Sequence, residues 1–280
     1  MENIYQEIWD ADMSENGIKA VFDNTNVDCN EEGYILVDPK KVRKSEEQSH
    51  RLFTEVCIPD SKSASYKLVE KLFNNFYLDP HRREDNTVEE QEEVDALLKH
   101  AIQSKAMKIC RTYVESKKET TLSDEQWYTY LHNIWFLQFN SGSGINLSGF
   151  EHVFIGEKKR NDLSGYHFWY KYHIEDQTGT NDKIIYLGPK DTNNVPDVIT
   201  LAYKLEASDD EIDESTLLKK KGGFFVGLSP EGLLAIGTAR FADTISENNT
   251  IEINNQRYNL KMFTNGKRSM RTFYPIYKQS

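Results

Sequence analysis

Ser148-Gly149-Phe150-Glu151-His152-Val153-Phe154-Ile155-Gly156-Glu157 sets a histidine among acids and apolar residues, one glycine before it and one after. Fifteen residues beyond His152, Gly165-Tyr166-His167 repeats the approach of glycine, aromatic and histidine. A glycine two or three residues ahead of a working side chain permits unusual backbone angles and close substrate approach. Further out, Lys219-Lys220-Lys221 abuts Gly222-Gly223, and Thr272-Phe273-Tyr274-Pro275 stands near the C-terminus. Two histidines and a lysine are the minimum set for breaking an RNA phosphodiester without a metal. One histidine takes the 2′-hydroxyl proton, the other gives a proton to the leaving oxygen, and the lysine stabilises the phosphorane charge. Either histidine alone reads as easily as a core or surface residue; the pairing points to chemistry.

Upstream of this stretch the periodicity is mainly helical. Ser65 to Leu78 puts Leu68, Val69, Leu72, Phe73 and Phe76 on one helical face. Val88 to Lys117 reads as one long amphipathic helix or two shorter ones, opening on acids that suit a helix N-terminus. Pro80 to Asn86 reads as a polar linker. Ser123 and Gln126 form a capping box ahead of a helix through Trp127, Leu131 and Trp135. Asn140-Ser141-Gly142-Ser143-Gly144 is the expected boundary, dividing a helical lobe, 1–140, from a catalytic lobe, 141–280.

Downstream the pattern turns to period two with β-branched and aromatic residues. Strands are expected at 168–174, 183–187, 198–205, 224–226, 251–254, 257–263 and 272–277, with hairpin turns at Asn254-Asn255 and Asn265-Gly266. Pro275 suggests an edge strand. Ser229 as N-cap and Pro230 in the first turn predict one helix among them. Ser208 to Glu214 reads as a solvated acidic turn without calcium-loop spacing. The fold class is therefore α+β, with a largely antiparallel second lobe.

Composition is that of a water-soluble globule, and no apolar run approaches the roughly 18 residues a membrane span needs. Met1-Glu2-Asn3 opens without the apolar core of a signal peptide. Cys29, Cys57 and Cys110 are scattered and read as free thiols in a reducing, cytoplasmic setting. The net charge of −11 opposes binding of a polyanion, but it is unevenly spread. Residues 1–150 carry 17 Lys and Arg against 27 Asp and Glu, whereas 151–280 carry 17 against 18. The cations of the second part cluster at Lys158-Lys159-Arg160, at Lys219 to Lys221, and at Lys267, Arg268 and Arg271. That grouping suits a local phosphate-binding cleft.

In order and in wording these phrases resemble the EndoU (XendoU-like) endoribonucleases. The family reads S-G-F-E-H-V-F-x-G-E, matched by Ser148 to Glu157, then G-[FY]-H-N-W, against Gly165-Tyr166-His167-Phe168-Trp169. It continues K-x-x-G-S and F-x-x-G-x-S-P-E, against Lys219 to Gly223 and Phe224 to Glu231, and closes on T-x-Y-P, against Thr272 to Pro275. Ile8-Trp9-Asp10-Ala11-Asp12 is similar to the L-W-D-x-D near the start of such proteins. The resemblance implies cleavage of single-stranded RNA at uridines by 2′-hydroxyl transphosphorylation, leaving a 2′,3′-cyclic phosphate and a 5′-hydroxyl. It implies His152, His167 and Lys219 as catalytic, with His167 as base and His152 as acid. If the following segment slips by one residue, Lys220 takes the place of Lys219. Glu151 and Glu157 are candidate carboxylates for orienting a histidine. Thr272 and Tyr274 are candidates for reaching and stacking on the base. Some members respond to Mn²⁺, though the residues themselves show no metal cage. Two departures stand out: Phe168 replaces the asparagine, and Gly223 replaces a serine linked to uracil recognition. The second predicts relaxed uridine preference, sharpened again by Gly223→Ser. A non-catalytic RNA-binding protein and a toxin held by an inhibitor protein are the two alternative readings.

Overall fold

The computed structural model describes residues 3–142, 144–177, 183–191, 195–209, 212–243 and 249–278. The helices of the first part run Ile4–Met13, Ser63–Lys71, Val88–Gln103, Lys105–Lys118 and Asp124–Phe136. The long periodic segment is thus two helices, separated at Ser104, whose hydroxyl caps the second. The Ser123–Gln126 capping box forms as expected. The first part is not only helical, however. Lys19–Val21, Tyr34–Val37 and Phe53–Cys57 build a small sheet, its first pair parallel and its second antiparallel. These strands are three to five residues long, too short for periodicity to announce them.

In the second part a hairpin of two long strands, Val198–Asp209 and Ile212–Phe225, forms the centre of a five-stranded sheet. Ile184–Pro189 flanks it on one side, Asp162–Ser164 and Glu157–Lys159 on the other. Of the acidic run 208–214, residues 208 and 209 end the first of these strands and 212–214 begin the second, while Asp210 and Glu211 lie outside the described residues. A second sheet is an antiparallel meander of Asn249–Ile253, Gln256–Asn265 and Ser269–Tyr277. Its turns use Asn254 and Asn255, both at positive φ, and Gly266. The last strand lies at the edge, where Pro275 costs no ladder bond.

One expectation fails here. Trp169–Glu175 is a helix, not a strand: the aromatic run packs on all sides, Trp169 and Tyr172 being wholly buried, so no period-two face was being marked. The Gly/Ser segment after Phe136 lies in a hairpin of Phe139–Ser141 and Gly144–Leu147.

The two ends of the chain meet through the helix Pro230–Ala242. Its N-cap Ser229 donates its backbone N–H to Asp12 Oδ2 at 2.9 Å, and its hydroxyl bonds Asp12 Oδ1. Asp12 is fully buried, which pushes its carboxyl up to about 7. The N-terminal Trp-Asp motif therefore serves architecture. Buried apolar residues form one cluster from Tyr5 to Phe273 that runs without a break past residue 140.

The cysteines also depart from expectation. Cys29 and Cys57 are disulfide-bonded, with Cα atoms 5.6 Å apart, and only Cys110 is free and buried. Sequence separation hid the pair, because the sheet brings 29 and 57 together. Two of the three cysteines are therefore not the free thiols that a reducing compartment would favour.

Candidate active site

The decisive stretch folds into one π-helical turn, Glu151–Ile155, closed by the Gly156 N–H donating to Glu151 O at 2.9 Å. Such turns are uncommon and recur at functional sites. Ser148 and Glu151 cap it reciprocally: the Glu151 N–H donates to Ser148 Oγ and the Ser148 N–H to Glu151 Oε2, each at 3.1 Å. Burial, with Glu157 and Glu84 nearby, pushes the Glu151 carboxyl up to about 9. Glu151 is thus a neutral structural acid at pH 7, and the carboxylate beside the histidine is Glu157. Its Oε1 lies 2.8 Å from His152 Nδ1, and both side chains are buried.

The second histidine is bolted to the first through the backbone. The Tyr166 N–H donates to His152 O at 2.8 Å, and the His167 N–H to Val153 O at 2.6 Å. Gly165 makes this approach possible. It sits at φ +68°, and a Cβ there would stand 2.0 Å from His152 O. The two imidazole centroids are 6.4 Å apart. His167 Nδ1 lies 2.9 Å from Gly223 O, and a carbonyl can only accept, so Nδ1 carries the proton and Nε2 a lone pair. Burial, then Lys219 and His152, holds His167 well below the ordinary histidine range, so it stays neutral. Tyr274 stacks on His167 with centroids 4.5 Å apart and planes within 12°. One face of the tyrosine, expected to be open to a base, is therefore spent on fixing the histidine.

Lys219 and Lys220 separate cleanly. The Lys219 ammonium is buried and donates to Gly165 O, whereas Lys220 is exposed and paired with Asp162 Oδ2 at 2.7 Å. Strand alternation puts them on opposite faces, and a bulge follows Lys219 in the pairing with Val198–Asp209. Burial is the main cause that brings Lys219 down to about 7; Glu157 opposes it. His152, His167, Lys219, Thr272 and Tyr274 all line one cavity of about 490 Å³. Thr272 Oγ1 is buried there without a hydrogen-bond partner among the described residues.

Gly223 does not have a positive φ, so its backbone would accept a serine. The space would not: a Cβ would stand 2.6 Å from the Pro275 carbonyl oxygen. Gly223 serves through its carbonyl, which holds His167. Phe168, in place of asparagine, is buried against Phe154. The cavity also draws in Arg271 and the half-exposed Phe263. Arg271 belonged to a basic cluster visible in the sequence; Phe263 carried no signal, being one apolar residue on an alternating strand. A larger cavity of about 650 Å³ lies elsewhere, lined by Glu84, Glu90, Glu92 and Asp95, acids that would repel a polyanion. Among the described residues no three His, Cys, Asp or Glu side chains converge to hold a metal ion.

A neutral histidine, a carboxylate-backed histidine and a buried lysine around one cavity define an enzyme of acid–base phosphodiester transfer. The chain belongs to the family of the endoribonuclease XendoU, whose model matches residues 1–275. A poly(U)-specific endoribonuclease of Xenopus tropicalis is 28% identical, covering 99% of this chain and 92% of the relative. A uridylate-specific endoribonuclease C of Danio rerio is 28% identical over 98% of this chain and 87% of its own. The solved structure of XendoU, described as a splicing-independent snoRNA-processing endoribonuclease, superposes with a TM-score of 0.76 at 23% identity. It covers 99% of this chain and 96% of that one, and shares the fold.

Proposed function

We propose that the protein cleaves single-stranded RNA, preferentially at uridines, by attack of the 2′-hydroxyl on the adjacent phosphate. The observation that carries this is the opposed wiring of the two histidines: His167 Nδ1 on a carbonyl, His152 Nδ1 on a carboxylate. His167 Nε2 takes the 2′-O–H proton. O2′ bonds to phosphorus, the P–O5′ bond breaks, and His152, backed by Glu157, protonates O5′. The products are a 2′,3′-cyclic phosphate and a 5′-hydroxyl. A spacing of 6.4 Å between the rings leaves room for one phosphate within hydrogen-bond reach of both. The Lys219 ammonium stabilises the phosphorane oxygens.

Uridine preference is supported by the names of the relatives and by the unpartnered Thr272 Oγ1, which can meet a base edge. Among the described residues the manganese that the resemblance implies finds no donor set: Glu157 is engaged with His152, and Glu151 is a neutral cap. The test is incubation with a short RNA carrying one uridine, followed by end-group analysis. Cyclic phosphate and 5′-hydroxyl ends are expected; 5′-phosphate ends would overturn the mechanism.

A further inference from the structure

The catalytic cavity does not end at its own walls. A second cavity of about 600 Å³ shares Lys159 and Arg271 with it and adds Lys158, Arg160 and His81. We propose that this basic trough holds the phosphodiester backbone of the RNA on the 3′ side of the cleaved bond. The proposal rests on the transphosphorylation reading for its polarity.

Charge singles the trough out. The protein carries a net −11, and the exposed lysines of the 219–221 run are neutralised in place: Lys220 pairs with Asp162 at 2.7 Å and Lys221 with Asp191 at 3.4 Å. Lys158, Lys159 and Arg160 make no ion pair with any described residue. The one acid among the described residues of the trough, Asp79, turns its Oδ1 to the His81 backbone N–H at 2.9 Å. Adjacent cations without counterions repel one another, and a polyanion removes that cost while releasing its own counterions.

The trough is also preformed. The Lys158 N–H donates to Leu78 O, and the Ile145 N–H to Pro80 O, each at 2.7 Å, which ties both of its rims to one loop. Arg160 takes a left-handed φ of 61°, so the chain turns sharply after Lys159. A rigid surface loses little entropy when a strand is laid on it.

Polarity follows from the acid. The strand that carries these cations begins at Glu157, the residue that holds His152. His152 protonates the leaving O5′, and O5′ belongs to the nucleotide 3′ of the break. The base side, with His167 against Tyr274, is the side of the nucleotide that supplies the 2′-hydroxyl.

The experiment uses two oligonucleotides with a single deoxyuridine at the cleavage position, which cannot be cut. One is extended only on the 3′ side, the other only on the 5′ side. Binding is followed by fluorescence anisotropy over a salt series, for wild type and for Lys158→Gln/Arg160→Gln, which removes both charges and leaves polar side chains. For the 3′-extended strand the log–log salt slope is expected to fall by about 1.4 and affinity at low salt by about tenfold or more. The 5′-extended strand is expected to bind unchanged, and cleavage of a UpA dinucleotide to be unaffected. Equal slopes for the two proteins would overturn the site, and equal losses on both strands would overturn its polarity. Failure of the cleavage reading shows separately, as wild type leaving the dinucleotide intact.

Discussion

Lys219 is a cation held where cations are costly, and replacing it by methionine should stabilise the protein while removing its activity. Burial lowers the ammonium from 10.5 to about 7. A base whose folded pKa lies below its unfolded value weakens the fold wherever the unfolded chain is charged. The penalty is therefore full below about pH 7 and disappears as pH rises past 10.5. With those two values it is about 4 kcal/mol at pH 7 and about 1 kcal/mol at pH 9.5. Loss of the hydrogen bond to Gly165 O and of side-chain packing does not depend on pH. Those costs cancel when wild type and variant are compared at two pH values. Urea unfolding of Lys219→Met should thus show a stability advantage over wild type about 3 kcal/mol larger at pH 7 than at pH 9.5. The same titration shapes catalysis: kcat/KM of wild type should fall about tenfold per unit above about pH 7, as the ammonium is lost. A stability difference that does not change with pH would refute the buried-cation argument.

Other outcomes follow from the same geometry. His152→Ala and His167→Ala should each lower cleavage by roughly 10²–10⁴-fold with circular dichroism unchanged; near-normal rates in either would sink the assignment. Deoxyribose at the target position should abolish cutting, as product analysis on denaturing gels would show. Tyr274→Ala should lower kcat as well as raise KM, because it frees His167 as well as removing a stacking surface; a pure KM effect would place the ring on substrate alone. Gly223→Ser was expected from sequence to sharpen uridine preference. With a Cβ placed 2.6 Å from Pro275 O, it should instead lower the melting temperature and slow cleavage at U, C and A alike, measured as matched kcat/KM ratios.

What the linear chain determined is chemical. His152, His167 and the lysines of the 219–221 run were legible as candidates because acid–base work restricts residue type, and the structure gathers His152, His167 and Lys219 around one cavity. Capping at Ser123 and Ser229 and the turn at Asn254-Asn255 were legible for the same reason, since each depends on neighbours within four residues. What the tertiary structure alone decided is everything that depends on which distant atoms meet. Only packing chose Lys219 over Lys220, by burying one face of the strand and leaving the other to Asp162. Only packing divided the two glutamates, since desolvation keeps Glu151 neutral while Glu157 meets an imidazole. The small early sheet and its Cys29–Cys57 bridge escaped reading because pairing between short strands leaves no period. The helix Trp169–Glu175 escaped because its first four residues, Trp169 to Tyr172, are all buried and present no polar face to reveal its pitch. Proton assignments, too, belong to the fold: His167 holds its proton on Nδ1 and leaves Nε2 free because Gly223, 56 residues away, offers it a carbonyl.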